Sequence, residues 1–329
     1  MNRRLNHPFR PTTCALALAL ALAPMQAPLA QVRLPSLGEA AADEFGVGTE
    51  KRMGEQIMRE IRRDPAYLDD PVLLEFLQSI WQPLLAAARA NGNVEPDIER
   101  QFAWEVFLVL DRTVNAFALP GGYVGAHLGL IALTASSDEL ASVMAHELAH
   151  VTQRHIARGV VNSQRSSMVG LAALLVGILA AARSNSVDVA NAAIMGGQAA
   201  AIQGQLNFSR DMEREADRLG YGLLGAAGFA PLGMAQMFEK MDAANRINDG
   251  GNFPYLRSHP LTVERMSESR SRALFAGPAK PAPPLRHVLM QQRARVLMDT
   301  DPQTLRRLQD QAAGVPGAPL RDRLGAAYA

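Results

Sequence analysis

His146-Glu147-Leu148-Ala149-His150 decides the reading of this 329-residue chain. Two histidines stand four positions apart with a glutamate beside the first. On an α-helix that spacing stacks both imidazoles on one face, one turn apart, where they can share a metal ion. Glu147 then projects beside the metal, placed to take a proton from a bound water. The surroundings suit a helix. Ser142, Val143, Met144, Ala145 and Leu148 are good to fair helix formers, and no Gly or Pro interrupts Asp138 to Arg158.

A catalytic zinc usually takes three protein ligands and keeps one position for water. The third ligand is sought in Ser209-Arg210-Asp211-Met212-Glu213-Arg214-Glu215-Ala216-Asp217. Glu213 and Asp217 share one face of a second helix, so one can bind the metal while the other accepts the free N–H of a ligand histidine. Glu215 lies about 200° round that helix from Glu213 and is the weaker choice. The competing reading is a solvated acid–base face, since the stretch is dense in charge. The upstream H-E-x-x-H tips the balance to ligation.

H-E-L-A-H followed by S-R-D-M-E-R-E-A-D resembles the zinc metallopeptidases that include HtpX and the CAAX prenyl proteases. That family joins H-E-x-x-H to E-x-x-A-D and then to a His-Pro segment. Here the last is Ser258-His259-Pro260-Leu261, with Arg265 six residues past the histidine. Asn115-Ala116-Phe117-Ala118-Leu119-Pro120-Gly121-Gly122 is similar to the family's segment before the active-site helix. The resemblance covers roughly Phe45 to Ala276 and is nearest to the periplasmic β-barrel assembly-enhancing proteases. It implies that His146, His150 and Glu213 bind one zinc, that Glu147 is the general base, and that Asp217 supports a ligand histidine. It also implies an α+β, mainly α, zincin-type domain with a small sheet beside the active-site helix. His259 is read either as a structural or oxyanion-binding histidine, or as a fourth ligand that gates the metal.

The N-terminus reads as an export signal over residues 1–30. Arg3, Arg4 and Arg10 precede an alanine-leucine run from Cys14 to Pro24, and Ala27-Pro28-Leu29-Ala30 offers a cleavage site. A retained anchor is the alternative. Cleavage after Ala30 removes three Arg and no acid, changing the balance from 33 − 32 = +1 to 30 − 32 = −2. No basic patch argues for nucleic acid. The same cleavage removes the sole cysteine, Cys14, so the mature chain has no disulfide or thiol nucleophile and any zinc takes His and carboxylate ligands. The expected location is the periplasm.

Helical spacing of apolar residues recurs over Glu50 to Arg63 and Pro71 to Arg89, whose apolar faces are read as core. Trp104 to Leu110 reads as a strand, and Ala116 to Leu119 as a shorter one ended by Pro120-Gly121-Gly122. The peptidase domain is placed at 31–276. Met168 to Ala182 carries no charge but is shorter than a bilayer span of about 20 residues. It is read first as a buried helix or hairpin, second as a membrane-surface segment. Ser184 to Gln205, rich in Ala, Gly and Asn, is read as a flap. Residues 277–284 form a Pro-rich linker, and 285–329 a short helical tail with helices expected at Leu285 to Asp299 and Pro302 to Ala313. The resemblance implies tetratricopeptide repeats after the catalytic domain, so the tail is read alternatively as a truncated repeat region, since fewer than three repeats rarely form a stable stack.

Zinc held by two imidazoles and one carboxylate acidifies its water towards a pKa of about 7. The reaction expected is hydrolysis of internal peptide bonds. If Thr113 to Leu119 forms a sheet edge, Asn115, Ala116, Phe117 and Ala118 can pair with an extended peptide through backbone groups, whatever its side chains. The competing reading of this stretch is a plain strand end. His127, His155 and His287 are read as structural. His155 is placed about 180° from His146 on a continuous helix. Two function classes remain. One is an exported zinc endopeptidase acting on unfolded or misassembled envelope and outer-membrane proteins, with the outer-membrane assembly machinery as partner. The other is a holdase or assembly factor with a latent or structural metal site. Glu147 favours the enzyme, because a structural site has no need of a base.

Overall fold

The computed structural model describes residues 45–164, 209–247, 253–275, 284–312 and 320–328. In chain order its elements begin α1 (Val47–Ile61), β1 (Tyr67–Leu68), α2 (Pro71–Ala90), α3 (Pro96–Gln101), β2 (Glu105–Val109), β3 (Ala116–Leu119), β4 (Tyr123–His127), α4 (Leu128–Leu133) and α5 (Ser137–Thr152). Helical residues 155–164 form α6 and 209–226 form α7. There follow α8 (Leu232–Ile247), α9 (Tyr255–Ser258), α10 (Val263–Leu274), α11 (Pro284–Met298), α12 (Pro302–Ala312) and α13 (Leu320–Tyr328). The fold is mainly α with one small sheet. Residues 1–30, Met168 to Ala182 and Ser184 to Gln205, read above as signal, apolar segment and flap, lie outside the described residues, as does the 277–284 linker up to residue 283; its last residue, Pro284, opens α11. Among the described residues no helix is long and apolar enough to cross a membrane.

Helix α5 carries His146 and His150 and runs through the core. Its start is fixed by a reciprocal cap: Glu139 N–H donates to Ser136 Oγ at 3.2 Å, and the Glu139 carboxylate accepts from Ala135 N–H at 2.6 Å. From Glu139 to Thr152 every residue is buried. Leu140, Val143, Met144 and Leu148 share one apolar cluster with Leu77, Ile80, Trp81 and Leu84 of α2 and with Met234, Met237 and Met241 of α8. Such burial from several sides fixes the rotation of α5, and with it the directions of both imidazoles.

The four strands lie in the order β1-β2-β4-β3, with β2 and β4 parallel and β3 antiparallel to β4. Gly121 and Gly122, at φ of 78° and 86°, turn the chain between β3 and β4 in a left-handed conformation that only glycine adopts at little cost. The hairpin leaves β3 on the sheet edge beside α5. The strand expected at Trp104 to Leu110 is present as Glu105–Val109. Strand β4 was not anticipated, because Gly125, Ala126 and His127 carry little β signal. Gly125 is there because a Cβ would meet the Phe117 and Phe107 rings at 2.6 and 2.8 Å.

Helix α11 belongs to the same apolar core through Met290 and Ala294. Gln291 donates to the carbonyls of Ala132 and Thr134 at the end of α4, and Arg293 clasps Asp70 at 2.7 Å. Asp70 also caps α2, accepting from Leu73 N–H at 2.9 Å.

Candidate metal centre

Four buried side chains, His146, His150, Glu213 and His259, bring one donor atom each to within 4.8 Å of one another. Nε2 of His146 lies 2.9 Å from Nε2 of His150, 3.4 Å from Glu213 Oε2 and 3.3 Å from His259 Nδ1. His259 Nδ1 stands 2.9 Å from Glu213 Oε1. Glu147, one position along α5, has its Oε1 3.6 Å from His259 Nε2.

Close approach of α7 to α5 makes this convergence. A Cβ at Gly220 would sit 3.2 Å from the backbone at Ala145 and His146, so the small residue lets the helices draw together where Glu213 and Asp217 must reach. Asp217 Oδ1 is 2.9 Å from His146 Nδ1. Arg265 holds Asp217 through two bonds of 2.6 and 2.8 Å, lies 3.0 Å from Glu213 Oε2, and donates to Pro260 O at 2.8 Å. One buried guanidinium thus ties the His259-Pro260 segment to the helix bearing the acids. Tyr255 packs its ring on His259 at 4.6 Å between centroids. The sequence reading noted Arg265 without giving it a task, and it did not pick out Tyr255.

The electrostatics favour a cation. Burial opposes charge on Glu213, but hydrogen bonds with the three histidines outweigh it and hold its carboxyl well below the usual range. Asp217 is likewise lowered against burial, chiefly by Arg265 and then His146. These two carboxylates face one guanidinium, leaving a net negative site. Burial works against a proton on His146, yet Asp217 and Glu213 prevail and raise its pKa from 6.5 to about 10. His150 is pushed well below 6.5 by burial. The carboxylates that draw a proton to His146 draw a metal ion equally, and metal displaces the proton.

The donor set fits a divalent ion. Nε2 of His146 and Nε2 of His150 face each other at 2.9 Å, a contact that a shared proton bridges and whose two lone pairs a metal ion would take up in its place. Oε1 of Glu147 is buried without a hydrogen-bond partner among the described residues. Imidazoles with a carboxylate and no thiolate suit zinc and its borderline neighbours.

The predicted substrate segment lies against this centre. Ala118 N–H donates to Glu147 Oε2 at 3.0 Å. His127 N–H donates to Asn115 O, which turns Asn115 towards β4. Alternation along a strand then turns the backbone groups of Ala116 and Ala118 outward. Phe117 points away, ring against ring with Phe107 and His127. Asn115 Oδ1 is buried without a partner among the described residues.

The placement of His155 needs correction. Helix α5 ends at Thr152, and Arg154 adopts φ of 51°, so His155 begins a new helix instead of continuing the old one. Arg154 is held in that left-handed state by Glu50 at 3.0 Å and by Phe45 O. The break swings His155 back under the site. Its Nδ1 meets His150 Nδ1 at 2.9 Å and its Nε2 meets Glu215 Oε2 at 3.2 Å. A third histidine five positions after H-E-x-x-H was the available signal, obscured by assuming one unbroken helix. Of the other histidines, His287 is buried against Thr134 O at 2.9 Å, and His127 lies 3.0 Å from Thr113 Oγ1.

Comparison with known proteins agrees with this geometry. The pattern of peptidase family M48 matches residues 77–273. A Vibrio cholerae protein named for the beta-barrel assembly-enhancing protease is 38% identical over 292 residues, covering 88% of this chain and 57% of its own length. The beta-barrel assembly-enhancing protease of Escherichia coli K12 is 34% identical over 240 residues, 73% of this chain and 47% of its own. Mitochondrial metalloendopeptidase OMA1 of Saccharomyces cerevisiae is 29% identical over 197 residues, 58% of this chain and 53% of its own. The chain spans about half the length of these relatives. Since the matched interval contains every residue of the centre from Asn115 to Arg265, the site and the sequence agree that the chain belongs to peptidase family M48, a family of metallopeptidases.

Proposed function

We propose that this chain is a zinc endopeptidase, exported to the periplasm, that cuts extended segments of unfolded or misassembled envelope proteins. The observation that carries the reading is the contact of Glu147 with β3, which puts one carboxylate against both the metal donors and the outward edge of the sheet. His146, His150 and Glu213 would hold the ion and Asp217 would orient His146; His259 would supply a fourth donor in the closed, resting site and leave that position to water during turnover. When bound, zinc supplies a Lewis acid that polarises the scissile carbonyl and acidifies a water.

The side chains do the rest. An extended substrate lies along β3 and pairs with the outward groups of Ala116 and the carbonyl of Ala118, whose N–H is given to Glu147, which reads backbone and not sequence. Its carbonyl is thereby set beside Glu147. The Glu147 carboxylate accepts the proton of the attacking water and returns it to the leaving amine. Arg265 holds Asp217 and Glu213 in place through the cycle. No thiol or hydroxyl nucleophile is needed.

Selection for unfolded chains follows from edge pairing, since a folded substrate has no free strand to offer. The names of the bacterial relatives support a place in outer-membrane β-barrel assembly, with that machinery as partner. The basic start and Ala-Leu run of residues 1–30 support export. The test is zinc-dependent cleavage of casein and of an unfolded outer-membrane protein by wild type and by Glu147→Gln. Cleavage lost on chelation and in Glu147→Gln supports the endopeptidase. Equal activity of the two proteins, or binding without cleavage by wild type, would favour the holdase.

A further inference from the structure

We propose that His155 and Glu215 are positioning residues for His150, joined in a buried chain that fixes which of its ring nitrogens faces the metal. The inference rests on the metal-centre reading above and adds two residues to it. His150 turns Nε2 to the centre, 2.9 Å from His146 Nε2 and 3.4 Å from Glu213 Oε1. A metal-binding Nε2 must present a lone pair, so the one proton of neutral His150 must sit on Nδ1. Among the described residues, the group that meets this Nδ1 is Nδ1 of His155, at 2.9 Å. Two like ring nitrogens at that distance require one donor and one acceptor. His155 therefore accepts on Nδ1 and carries its own proton on Nε2, which points at Glu215 Oε2, 3.2 Å away. Every atom in the chain then has one consistent role.

The surroundings hold this arrangement rigid. His155 is 3% exposed, while Glu215 stands at the rim, where Arg158 donates to the same Oε2 at 2.8 Å. The reversal of direction at Arg154, pinned by Glu50, is what brings His155 beneath His150. The first histidine has its own carboxylate, Asp217, in direct contact. On the Nδ1 side of the second the neighbour is His155, which extends its reach to a carboxylate. Partners of this kind on ligand histidines contribute roughly 10- to 100-fold in metal affinity.

The experiment is zinc affinity by competition with a chromophoric chelator, with the visible spectrum of the cobalt-substituted protein as a second readout. His155→Phe keeps a flat ring but removes the acceptor, and His155→Asn keeps an oxygen near Nδ1. We expect about 10- to 100-fold weaker zinc binding and an altered cobalt spectrum in His155→Phe, largely restored in His155→Asn. Glu215→Ala, changed at the rim, is expected to weaken binding several-fold with folding intact, and it decides the matter if His155→Phe does not fold. Wild-type affinity in His155→Phe, equal losses in the folded Phe and Asn variants, or wild-type affinity in Glu215→Ala when it alone can be measured, would overturn the relay. Failure of wild type to bind zinc at all would instead overturn the metal centre itself.

Discussion

The backbone N–H of Ala118 donates to Oε2 of Glu147 across 3.0 Å, joining the edge strand to the helix of the two histidines. The bond spans 29 positions in sequence and depends on the β3–β4 hairpin, whose turn is made by Gly121 and Gly122. It points the carboxylate at the place where a peptide on β3 would present its carbonyl. A base must first be within reach of its proton, and this contact supplies the reach.

Glu147→Gln should therefore keep zinc and lose hydrolysis. The amide can still accept from Ala118, and His146, His150 and Glu213 are untouched. We expect a loss of at least 10²-fold in peptide cleavage, the lower range for removing a general base, with metal content near one per chain. Metal analysis alongside a casein assay checks it, and equal loss of zinc would mean that Glu147 belongs to the ligand set.

Glu213→Ala should weaken zinc binding far more than Glu215→Ala. Glu213 stands 2.9 to 3.4 Å from all three histidines at the centre, whereas Glu215 reaches it only through His155. Equilibrium dialysis of the two variants gives the order directly. Equal affinities, or the reverse, would move the third ligand.

Two glycines on one helix should respond in opposite directions to alanine. At Gly220 the added methyl meets the Ala145 and His146 backbone at 3.2 Å, so α7 must retreat, costing about 1–3 kcal/mol by overpacking. At Gly222 nothing lies within 4 Å, and alanine should stabilise the helix by up to about 1 kcal/mol. Thermal unfolding of both variants tests this, and Gly220→Ala should also bind zinc more weakly.

Asp70 joins the tail helix to the catalytic body, and its contribution should depend on pH. Burial favours the neutral acid, but Arg293 and the Leu73 N–H prevail and lower its pKa below 3.8. A depressed folded pKa gives stability that is present above 3.8 and lost as pH falls through the folded value. Asparagine caps a helix about as well as aspartate, so Asp70→Asn removes mainly the ion pair, about 1 kcal/mol at neutral pH. Asp70→Ala also removes the cap, about 1 kcal/mol more. Melting curves at pH 7 and near pH 3 should show the Asn variant converging on wild type in acid.

Much of the centre was legible because its spacing is helical. His146 and His150 fall on one face at i, i+4, and so do Glu213 and Asp217, which reach the two sides of one site in the structure. Helices α1 and α2 are legible within a few residues from their apolar period, and α11 and α12 lie within a residue of their expected bounds. What failed was what depends on contacts distant in sequence. Arg154 leaves the helical region because Glu50, 104 positions earlier, holds it there, and no local preference announces that break. Strand β4 escaped because its Gly-Ala-His stretch is chosen by the Phe107 and Phe117 rings packed over it. The contribution of α11 to the core was hidden by the Pro-rich run before it, which looks like a boundary.

His259 is the remaining donor, and its variant separates two roles. Its Nδ1 lies 2.9 Å from Glu213 Oε1 and 3.3 Å from His146 Nε2, close enough to complete a four-ligand site. A site with four protein ligands has no position for water and cannot hydrolyse anything. Arg265 donates to Pro260 O and also grips Asp217, so withdrawal of His259 would have to work against a buried, anchored segment. That is the construction of a latch: closed at rest, and opened only when something else moves the loop. As a hypothesis, His259→Ala should raise basal cleavage of unfolded substrates several-fold while His146, His150 and Glu213 keep the zinc. Cleavage rates and metal content measured on one preparation decide it. A variant that retains zinc but cleaves more slowly than wild type would show that His259 assists the chemistry, as its 3.6 Å approach to Glu147 also allows, and the latch would have to be abandoned.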